Sequence, residues 1–325
     1  MVCLGRILGL LPSNIQSFLI SEFLVSLNKM VQMERRLVPA PCRLVNTKNN
    51  CFFNSVMQCT MYTYPVVTYF ESGLFTKEQK ICKKFQGFIT KYIDSKIMDP
   101  QFFIDGLATE IRILDGNEQD AQEFLLLFYS KLTEELGLLD NMSIVNVHQL
   151  RKIGRTNIMV KTFFGLVLNR LRCMGCFAVT EHTHQFRNLT LDVTESMQES
   201  VDKYFKEEVY NSEVECESCK KRAKVCVTRQ ITAYPEVLIL QLSRFIDVDR
   251  KNDSYVVVSE KMQIDKKTYH LTGMVCHSGT LRNGHYVAYA KVNSLWHSFD
   301  DMNVTELNES HISSTGAYIL FYSRI

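Results

Sequence analysis

A single cysteine at the predicted start of a helix is the first residue of this sequence that could do chemistry. Cys51 follows two asparagines in the segment NNCFFNSVMQC, and an apolar, helix-like run begins directly after it. The positive end of a helix dipole favours the nucleophilic thiolate over the thiol. Asn46 lies five residues earlier, so a loop could bring its amide beside the sulfur, where it and the Cys51 backbone N–H could bind an oxyanion. The alternative is a buried small cysteine flanked by capping asparagines.

A nucleophilic cysteine needs a base, and His285 is the best placed of the eight histidines. His285 follows Gly284 at a predicted turn and begins an apolar strand, and the next strand, SLWHSFDD, ends in Asp300 and Asp301. Two adjacent antiparallel strands would bring an aspartate beside the histidine, where it would fix the tautomer. A histidine at a turn and an aspartate in a hairpin are also common structural residues, so the pattern leaves both interpretations open.

Two CxxC pairs indicate a metal site. The pairs are Cys173 with Cys176 and Cys216 with Cys219. Four thiolates satisfy tetrahedral Zn²⁺ and leave no open position, so such a site would be structural. A redox role would need a neighbouring βαβ unit, which the pattern lacks. The basic segment CKKRAK after the second pair could bind nucleic acid, but the chain has no basic surplus elsewhere, which favours a solvated hairpin tip.

The elements that must position these residues change character along the chain. The first half has apolar residues at helical spacing in three segments, KICKKFQGFITKYI, DPQFFIDGLATEIRIL and QDAQEFLLLFYSKL. In the second segment Asp99 is the expected cap, and Pro100 takes the first helical position. The second half contains short β-branched or aromatic runs separated by turn residues. Helices followed by strands predict an α+β fold.

Composition narrows the class of protein. The chain has 325 residues, a net charge of +2 and eleven unevenly spaced cysteines. An odd, uneven set fits a reducing compartment better than a disulfide framework, so we expect a cytoplasmic or nuclear protein. Residues 1–39 predict an N-terminal extension with an amphipathic helix. Its apolar runs fall short of the roughly 20 residues that a transmembrane segment needs, and a signal peptide is not evident.

Taken in order, these segments resemble one family. Asn-x4-Cys, QDAQEF, CxxC…CxxC, YPEVLILQLSRF and GHYVAY…WHSFDD resemble the ubiquitin-specific proteases, which are papain-like cysteine deubiquitinases, over about residues 40–325. The resemblance implies a hand-shaped catalytic domain. It would have a helical thumb, a β-sheet palm and β fingers tied by structural zinc at roughly residues 160–245.

The resemblance also implies roles for individual residues. Cys51 would be the nucleophile, His285 the general base, and Asp300 the residue that orients the histidine, with Asp301 as a possible helper. Asn46 would supply the oxyanion hole, and the four cysteines of the CxxC pairs would hold Zn²⁺. The implied activity is thiol-dependent hydrolysis after the C-terminal glycine of ubiquitin. The implied partners are ubiquitin or ubiquitinated proteins, without nucleic acid or a membrane span.

Substrate contacts and departures from the family complete these expectations. Asp120 and Glu123, three residues apart on one helix face, would bind the basic tail of ubiquitin; the alternative is an acidic first turn that the helix dipole favours. The family's Gly-Asn-Thr before the cysteine is replaced by Lys48, Asn49 and Asn50, and Arg43 stands where a glycine is usual. Losing the first glycine could strain the loop. A catalytically weak or inert ubiquitin-binding scaffold, or a ubiquitin-like substrate, therefore remains an alternative.

Overall fold

The structure is a computed structural model that describes residues 39–73, 75–76, 78–138, 142–247, 250–280, 283–307 and 316–324. The N-terminal helix expected within residues 1–39 lies outside the described residues, apart from residue 39. Over the described ranges, none of the helices combines the length and the apolar character that a membrane span requires.

Helices make up most of the first half of the described chain. They are α1 (Cys51–Met61), α2 (Tyr64–Ser72), α3 (Lys80–Ile93), α4 (Gln101–Leu107), α5 (Ala121–Glu135), α6 (Val147–Gly154) and α7 (Ile158–Phe163). Two short strands, β1 (Arg43–Leu44) and β2 (Ile97–Met98), pair in parallel beside them. The expected helical character of this half is confirmed.

Helix α1 is central to the helical half because all eleven of its residues are buried. Its Phe53 packs against three aromatic rings at centroid distances between 5.0 and 6.2 Å, namely Phe88 of α3, Phe103 of α4 and Phe124 of α5. Aromatic pairs at such distances stabilise a core beyond the area that they bury. The start of α1, and therefore the position of Cys51, is fixed by this aromatic core.

The predicted apolar stripes are confirmed for α3 and α5, but the helix expected over DPQFFIDGLATEIRIL is shorter than predicted. It ends at Leu107, and Pro100 rather than Asp99 is its N-cap residue. The Asp99 carboxylate still accepts the backbone N–H of Gln101 at 2.9 Å. The chain beyond Leu107 continues as turns, because Gly106 and the β-branched residues after it favour a helix less than the apolar spacing suggests.

Strands form two sheets in the second half. The four-stranded finger sheet has the order β4-β3-β7-β6, from β3 (Gly165–Cys173), β4 (Val179–Phe186), β6 (Glu208–Glu215) and β7 (Arg222–Ala233). The palm sheet has the order β13-β12-β11-β10-β14-β8-β5, with β9 paired to β10. Its strands are β5 (Asn188–Leu191), β8 (Val237–Leu242), β9 (Lys261–Ile264), β10 (Lys267–Gly279), β11 (Gly284–Val292), β12 (Leu295–Asp300), β13 (Asn303–Leu307) and β14 (Ala317–Arg324). The predicted α+β class is confirmed.

The palm sheet is covered on both faces. Six consecutive residues at the start of β14 are buried, as expected for a strand packed on two sides. Helix α1 lies on one face, where its Cys59 sulfur packs closely against Gly273 of β10. A Cβ atom added at Gly273 would lie only 3.2 Å from that sulfur. Helix α8 (Met197–Phe205), which the sequence analysis missed, packs into the cluster on the other face. Its N-cap Ser196 and the following Glu199 were an available signal.

Candidate active site

Cys51 is the first residue of α1, as the sequence predicts. The side chain is only 5% exposed, and the preceding Asn50 is the N-cap residue without a side-chain capping bond. The first N–H groups of a helix have no acceptor within the helix, so the backbone N–H of Cys51 belongs to the set that can bind an anion. The thiol of Cys51 and its backbone N–H therefore lie together at the positive end of α1, where one residue could supply both a nucleophile and an oxyanion donor.

His285 and Asp300 meet because strands β11 and β12 are antiparallel neighbours. The ladder pairs Ala288 with Phe299, which places Asp300 diagonally across from His285. The Asp300 Oδ1 atom lies 2.6 Å from the His285 Nε2 atom, and both side chains are partly exposed. The carboxylate can only accept, so Nε2 carries the proton and Nδ1 is left for another partner. The predicted adjacency is confirmed.

The other partner of His285 is Cys51. The pKa of His285 is raised from its ordinary value of 6.5 to about 9, first by the hydrogen bond with Cys51 and also by the hydrogen bond with Asp300, while partial burial opposes the increase. A raised histidine pKa beside a thiol is the arrangement in which the imidazolium stabilises a thiolate. Cys51, His285 and Asp300 thus form a connected triad.

Asn46 is held beside the triad by two hydrogen bonds. Its Oδ1 atom accepts the backbone N–H of Asn50 at 2.9 Å, and its Nδ2 atom donates to Asp301 Oδ2 at 2.8 Å. A backbone N–H can only donate, so the atom of the Asn46 amide that faces the Asn50 N–H must be the oxygen. These partners therefore fix the orientation of the amide. An amide nitrogen carries two protons, so the second remains to donate to an oxyanion.

Asp301 binds the neighbours of Cys51, whereas Asp300 binds His285. The second oxygen of Asp301 accepts from Asn54 Nδ2 at 2.7 Å, and its backbone carbonyl accepts the Leu44 N–H at 3.2 Å. Asp301 adopts a positive φ of 50° in the turn after β12, which directs the two adjacent aspartates differently. Asp301 therefore ties the loop before Cys51 and helix α1 to the palm sheet.

Glu118 is a site residue that the sequence analysis missed. Its Oε2 atom accepts the backbone N–H of Gly284 at 3.0 Å, directly before His285. Gly284 also packs so closely on the buried ring of His277 that an added Cβ would lie 2.1 Å from Nε2. Glu118 from the helical half and His277 from β10 together fix the turn that presents His285. No sequence signal at Glu118 indicates a bond to a residue so distant along the chain.

Asp120 and Glu123 differ in exposure. Asp120 is the N-cap of α5, and its Oδ1 atom accepts the Gln122 N–H at 2.6 Å. The Tyr318 hydroxyl also donates to this carboxylate, at 2.8 Å from Oδ2. Burial raises the pKa of Asp120, and these hydrogen bonds oppose the increase. Glu123 is exposed in the first turn of the helix.

The unusual loop before Cys51 is built without a glycine. Asn49 has a positive φ of 52°, whereas the backbone of Lys48 does not have a positive φ. Asparagine tolerates this conformation better than most residues. The Lys48 backbone N–H also donates to the Asn50 side chain at 3.1 Å. The lysine that replaces the family's glycine therefore does not occupy a conformation that needs glycine.

The four CxxC cysteines meet at the tip of the finger sheet, where their sulfur atoms all lie within 4.8 Å of one another. The two CxxC pairs form matching turns. In each turn the residue directly after the second cysteine has a positive φ, Phe177 at 63° and Lys220 at 58°. In both turns this residue donates its N–H to the first cysteine's carbonyl, at 2.9 and 2.8 Å. All ten cysteines in the described part of the chain are free thiols. The cluster could bind a metal ion.

The structural comparison identifies the same fold in solved proteins. The chain aligns with the SAGA DUB module of Ubp8, Sgf11, Sus1 and Sgf73 bound to monoubiquitin, with a TM-score of 0.75, 20% identity, and coverage of 94% of this chain and 75% of that chain. The same module bound to ubiquitin aldehyde aligns with a TM-score of 0.72, 20% identity, and coverage of 94% and 76%.

The sequence comparisons are consistent with the fold. Residues 42–322 match the family described as ubiquitin carboxyl-terminal hydrolase. Usp2 of Drosophila melanogaster is 29% identical over 87% of this chain and 35% of its own length, and ubiquitin carboxyl-terminal hydrolase 16 of Arabidopsis thaliana is 26% identical over 87% and 30%. The chain therefore spans about a third of the length of these two curated relatives.

We predict that the His285 imidazole titrates near pH 9 and that Cys51→Ala lowers its pKa, because the bond to Cys51 is the largest cause of the increase. Folding favours protonated His285, so its stabilising contribution is full below about pH 6.5 and is lost as the pH rises through about 9. Histidine NMR titration measures this directly. His277, whose pKa burial lowers to about 4, is the internal reference that stays neutral. An unchanged His285 titration in Cys51→Ala would contradict the assignment.

Proposed function

Because this chain belongs to the ubiquitin carboxyl-terminal hydrolase family, we propose that it is a deubiquitinating cysteine protease. It hydrolyses the bond after the C-terminal glycine of ubiquitin, on protein substrates or ubiquitin chains. The observation that carries the proposal is the connected triad of Cys51, His285 and Asp300, in which the histidine bonds both the thiol and a carboxylate.

The reaction proceeds by covalent catalysis. His285 holds the proton of Cys51, and the thiolate attacks the glycine carbonyl to form a carbon–sulfur bond. When the tetrahedral intermediate collapses, the carbon–nitrogen bond breaks and His285 gives its proton to the leaving amine. His285 then takes a proton from a water molecule, whose oxygen bonds to the thioester carbon. The carbon–sulfur bond breaks, the ubiquitin carboxyl group is released, and the Cys51 thiolate is again left beside protonated His285. Asp300 keeps Nε2 protonated, so that Nδ1 faces the sulfur throughout.

The oxyanion is stabilised by two donors fixed before the substrate binds. These are the backbone N–H of Cys51 at the positive end of α1 and the second amide proton of Asn46. Asp301 acts as a positioning residue because its oxygens bond Asn46 and Asn54 at 2.8 and 2.7 Å. Donors that are already oriented need no rearrangement when charge develops on the substrate oxygen.

Ubiquitin is the proposed partner, supported by solved structures of the same fold that are bound to monoubiquitin and to ubiquitin aldehyde. The exposed carboxylate of Glu123 contacts the basic tail of ubiquitin directly. Asp120 assists it from the helix N-cap, where the Tyr318 hydroxyl donates to its Oδ2 atom. A reducing compartment, the cytoplasm or the nucleus, suits a nucleophilic thiol among cysteines that are all free in the described residues.

Zinc is the metal that fits the four-cysteine cluster best. A zinc ion with Zn–S bonds of about 2.3 Å separates neighbouring sulfurs by about 3.8 Å, and Cys176 Sγ lies 3.7 Å from Cys216 Sγ. The Gly175 N–H donates to Cys173 Sγ at 3.4 Å, as expected for a thiolate ligand. Such an ion would tie β3 to the turn between β6 and β7 and contribute folding energy only.

We expect wild-type protein to form a covalent adduct with ubiquitin bearing a C-terminal electrophile, and Cys51→Ala to form none. The mass of the protein would rise by one ubiquitin. Binding of unmodified ubiquitin by Cys51→Ala, measured by calorimetry, is the control for folding. A folded wild-type protein that binds ubiquitin without reacting would instead support the inert scaffold.

Glu118→Ala should lower kcat by about ten- to a hundredfold and leave KM nearly unchanged, because a hydrogen bond to a charged group contributes roughly 1.5–3 kcal/mol. The turn before His285 then loses its bond to the helical half. Glu118→Gln keeps an acceptor oxygen and should restore most of kcat. Hydrolysis of a fluorogenic ubiquitin substrate measures both constants. Equal losses in the two variants would show that charge, and not the bond to Gly284, matters.

Glu123→Lys should raise KM about tenfold for ubiquitin substrates at constant kcat, because reversing one exposed ion pair changes its energy by about 1–2 kcal/mol. Glu123→Gln should lie between wild type and Glu123→Lys. Glu110→Lys, an exposed acid outside α5, is the matched change in charge. The same steady-state assay applies, and a similar rise in KM for Glu110→Lys would refute a specific contact.

Purified protein should carry one zinc ion per chain, and Cys216→Ser should lose it with a lower Tm. Cys226→Ser is the control, because Cys226 is a buried residue of β7 outside the four-cysteine cluster. Elemental analysis and thermal unfolding measure the two effects. Metal retained by Cys216→Ser, or a Tm unchanged after the ion is removed, would contradict a structural zinc site at these residues.

A further inference from the structure

A cavity of about 610 Å³ lies outside the active site. It opens between α6, α7, the end of β7, the start of β10 and the end of β14. Its volume is within the range of ligand-binding clefts. None of its lining residues belongs to the triad, the oxyanion donors or the four-cysteine cluster. We call it the α6 cleft.

The α6 cleft is far from the active site along the palm sheet. Lys267 lines the cleft at the first position of β10, whereas Ser278, near the other end of that strand, pairs with His285. Eleven residues separate the two positions, and a strand rises about 3.3 Å per residue, so they are roughly 35 Å apart. A ligand in the cleft would leave the catalytic groups untouched.

The floor of the cleft is apolar. Helix α6 has no buried residue, and its partly exposed Val147 and Leu150 line the cleft together with Val160 and Phe164. A surface helix normally buries its apolar face against the protein. The apolar face of α6 instead borders an open space.

The rim of the cleft is strongly basic. Five exposed cations line it, Arg151, Arg155, Lys161, Lys267 and Arg324, against a single acid, Glu236. That acid lies 3.8 Å from Lys161. Within the described ranges, the other four cations form no ion pair. Asp265, close by, receives the hydroxyl of the lining residue Tyr234. The cleft thus combines unneutralised positive charge with an apolar floor.

We propose that the α6 cleft binds an acidic peptide segment of a partner protein, one in which Asp or Glu residues alternate with Leu or Phe. The carboxylates pair with Arg151, Arg155, Lys267 and Arg324, and the apolar side chains pack on Leu150 and Phe164. Charge complementarity selects an acidic occupant, since the lining carries five cations against one acid. The cleft is a docking site independent of ubiquitin hydrolysis.

The test uses the full chain and short fluorescent peptides in which Asp and Glu alternate with Leu and Phe, at strand and at helix spacing. Fluorescence anisotropy should detect binding that weakens as salt increases. Arg151→Glu with Arg155→Glu should weaken it at least about tenfold. Lys152→Glu is the matched control, since Lys152 is exposed on the same helix but does not line the cleft, and it should change affinity by less than about twofold. Amide exchange of residues 147–155 should slow when the peptide binds.

Other outcomes would overturn the proposal. These are no binding by any peptide, equal binding of peptides with Ser in place of Leu and Phe, equal losses for Lys152→Glu, or tighter binding of a DNA duplex than of the peptides. Failure here is distinct from failure of the proposed protease activity, because the double variant should still react with electrophilic ubiquitin at the wild-type rate.

Discussion

The complete burial of helix α1 is the constraint on which the rest of the structure depends. Its aromatic face packs on α3, α4 and α5, and its opposite side contacts the palm sheet through Cys59. The ring of the C-cap residue Tyr62 also contacts the sheet, 5.5 Å from the Phe299 ring. A helix held on all sides cannot shift along its axis without disturbing both cores. The position of Cys51 is therefore determined by packing, and hydrogen bonds hold the loop before it against the start of the helix.

Polar contacts then align the two halves of the site. Asp301 bonds Asn46 and Asn54 across a separation of about 250 residues, and Glu118 bonds Gly284 in the opposite direction, from the helical half to the palm. Each of these bonds uses a carboxylate, which makes it stronger than a bond between neutral groups. Since His285 is bonded to both Asp300 and Cys51, small displacements between the halves would affect Cys51, His285 and Asn46 together.

The triad, the four-cysteine cluster and the α6 cleft occupy separate parts of the molecule. The triad lies where α1 meets β11 and β12, the four-cysteine cluster lies at the tip of the finger sheet, and the α6 cleft lies at the other end of β10. Each of these places has its own physical basis, namely a thiol beside a histidine, four sulfurs within 4.8 Å of one another and an excess of positive charge over an apolar floor. Changes at one can therefore be tested without altering the others.

The sequence alone determined the helical first half, the strands of the second and the two CxxC pairs, and it singled out Cys51 and His285 as candidates, because periodicity and short motifs depend on neighbouring residues. It could not assign the adjacent Asp300 and Asp301 to different partners, nor indicate Glu118, since those bonds depend on a turn's backbone angle and on residues up to 255 positions apart. It overestimated α4, where the intrinsic preference of Gly106 and the residues after it prevails over apolar spacing. The sequence also could not indicate the α6 cleft. Its five cations are scattered along the chain and form one rim only when the sheets and helices have packed.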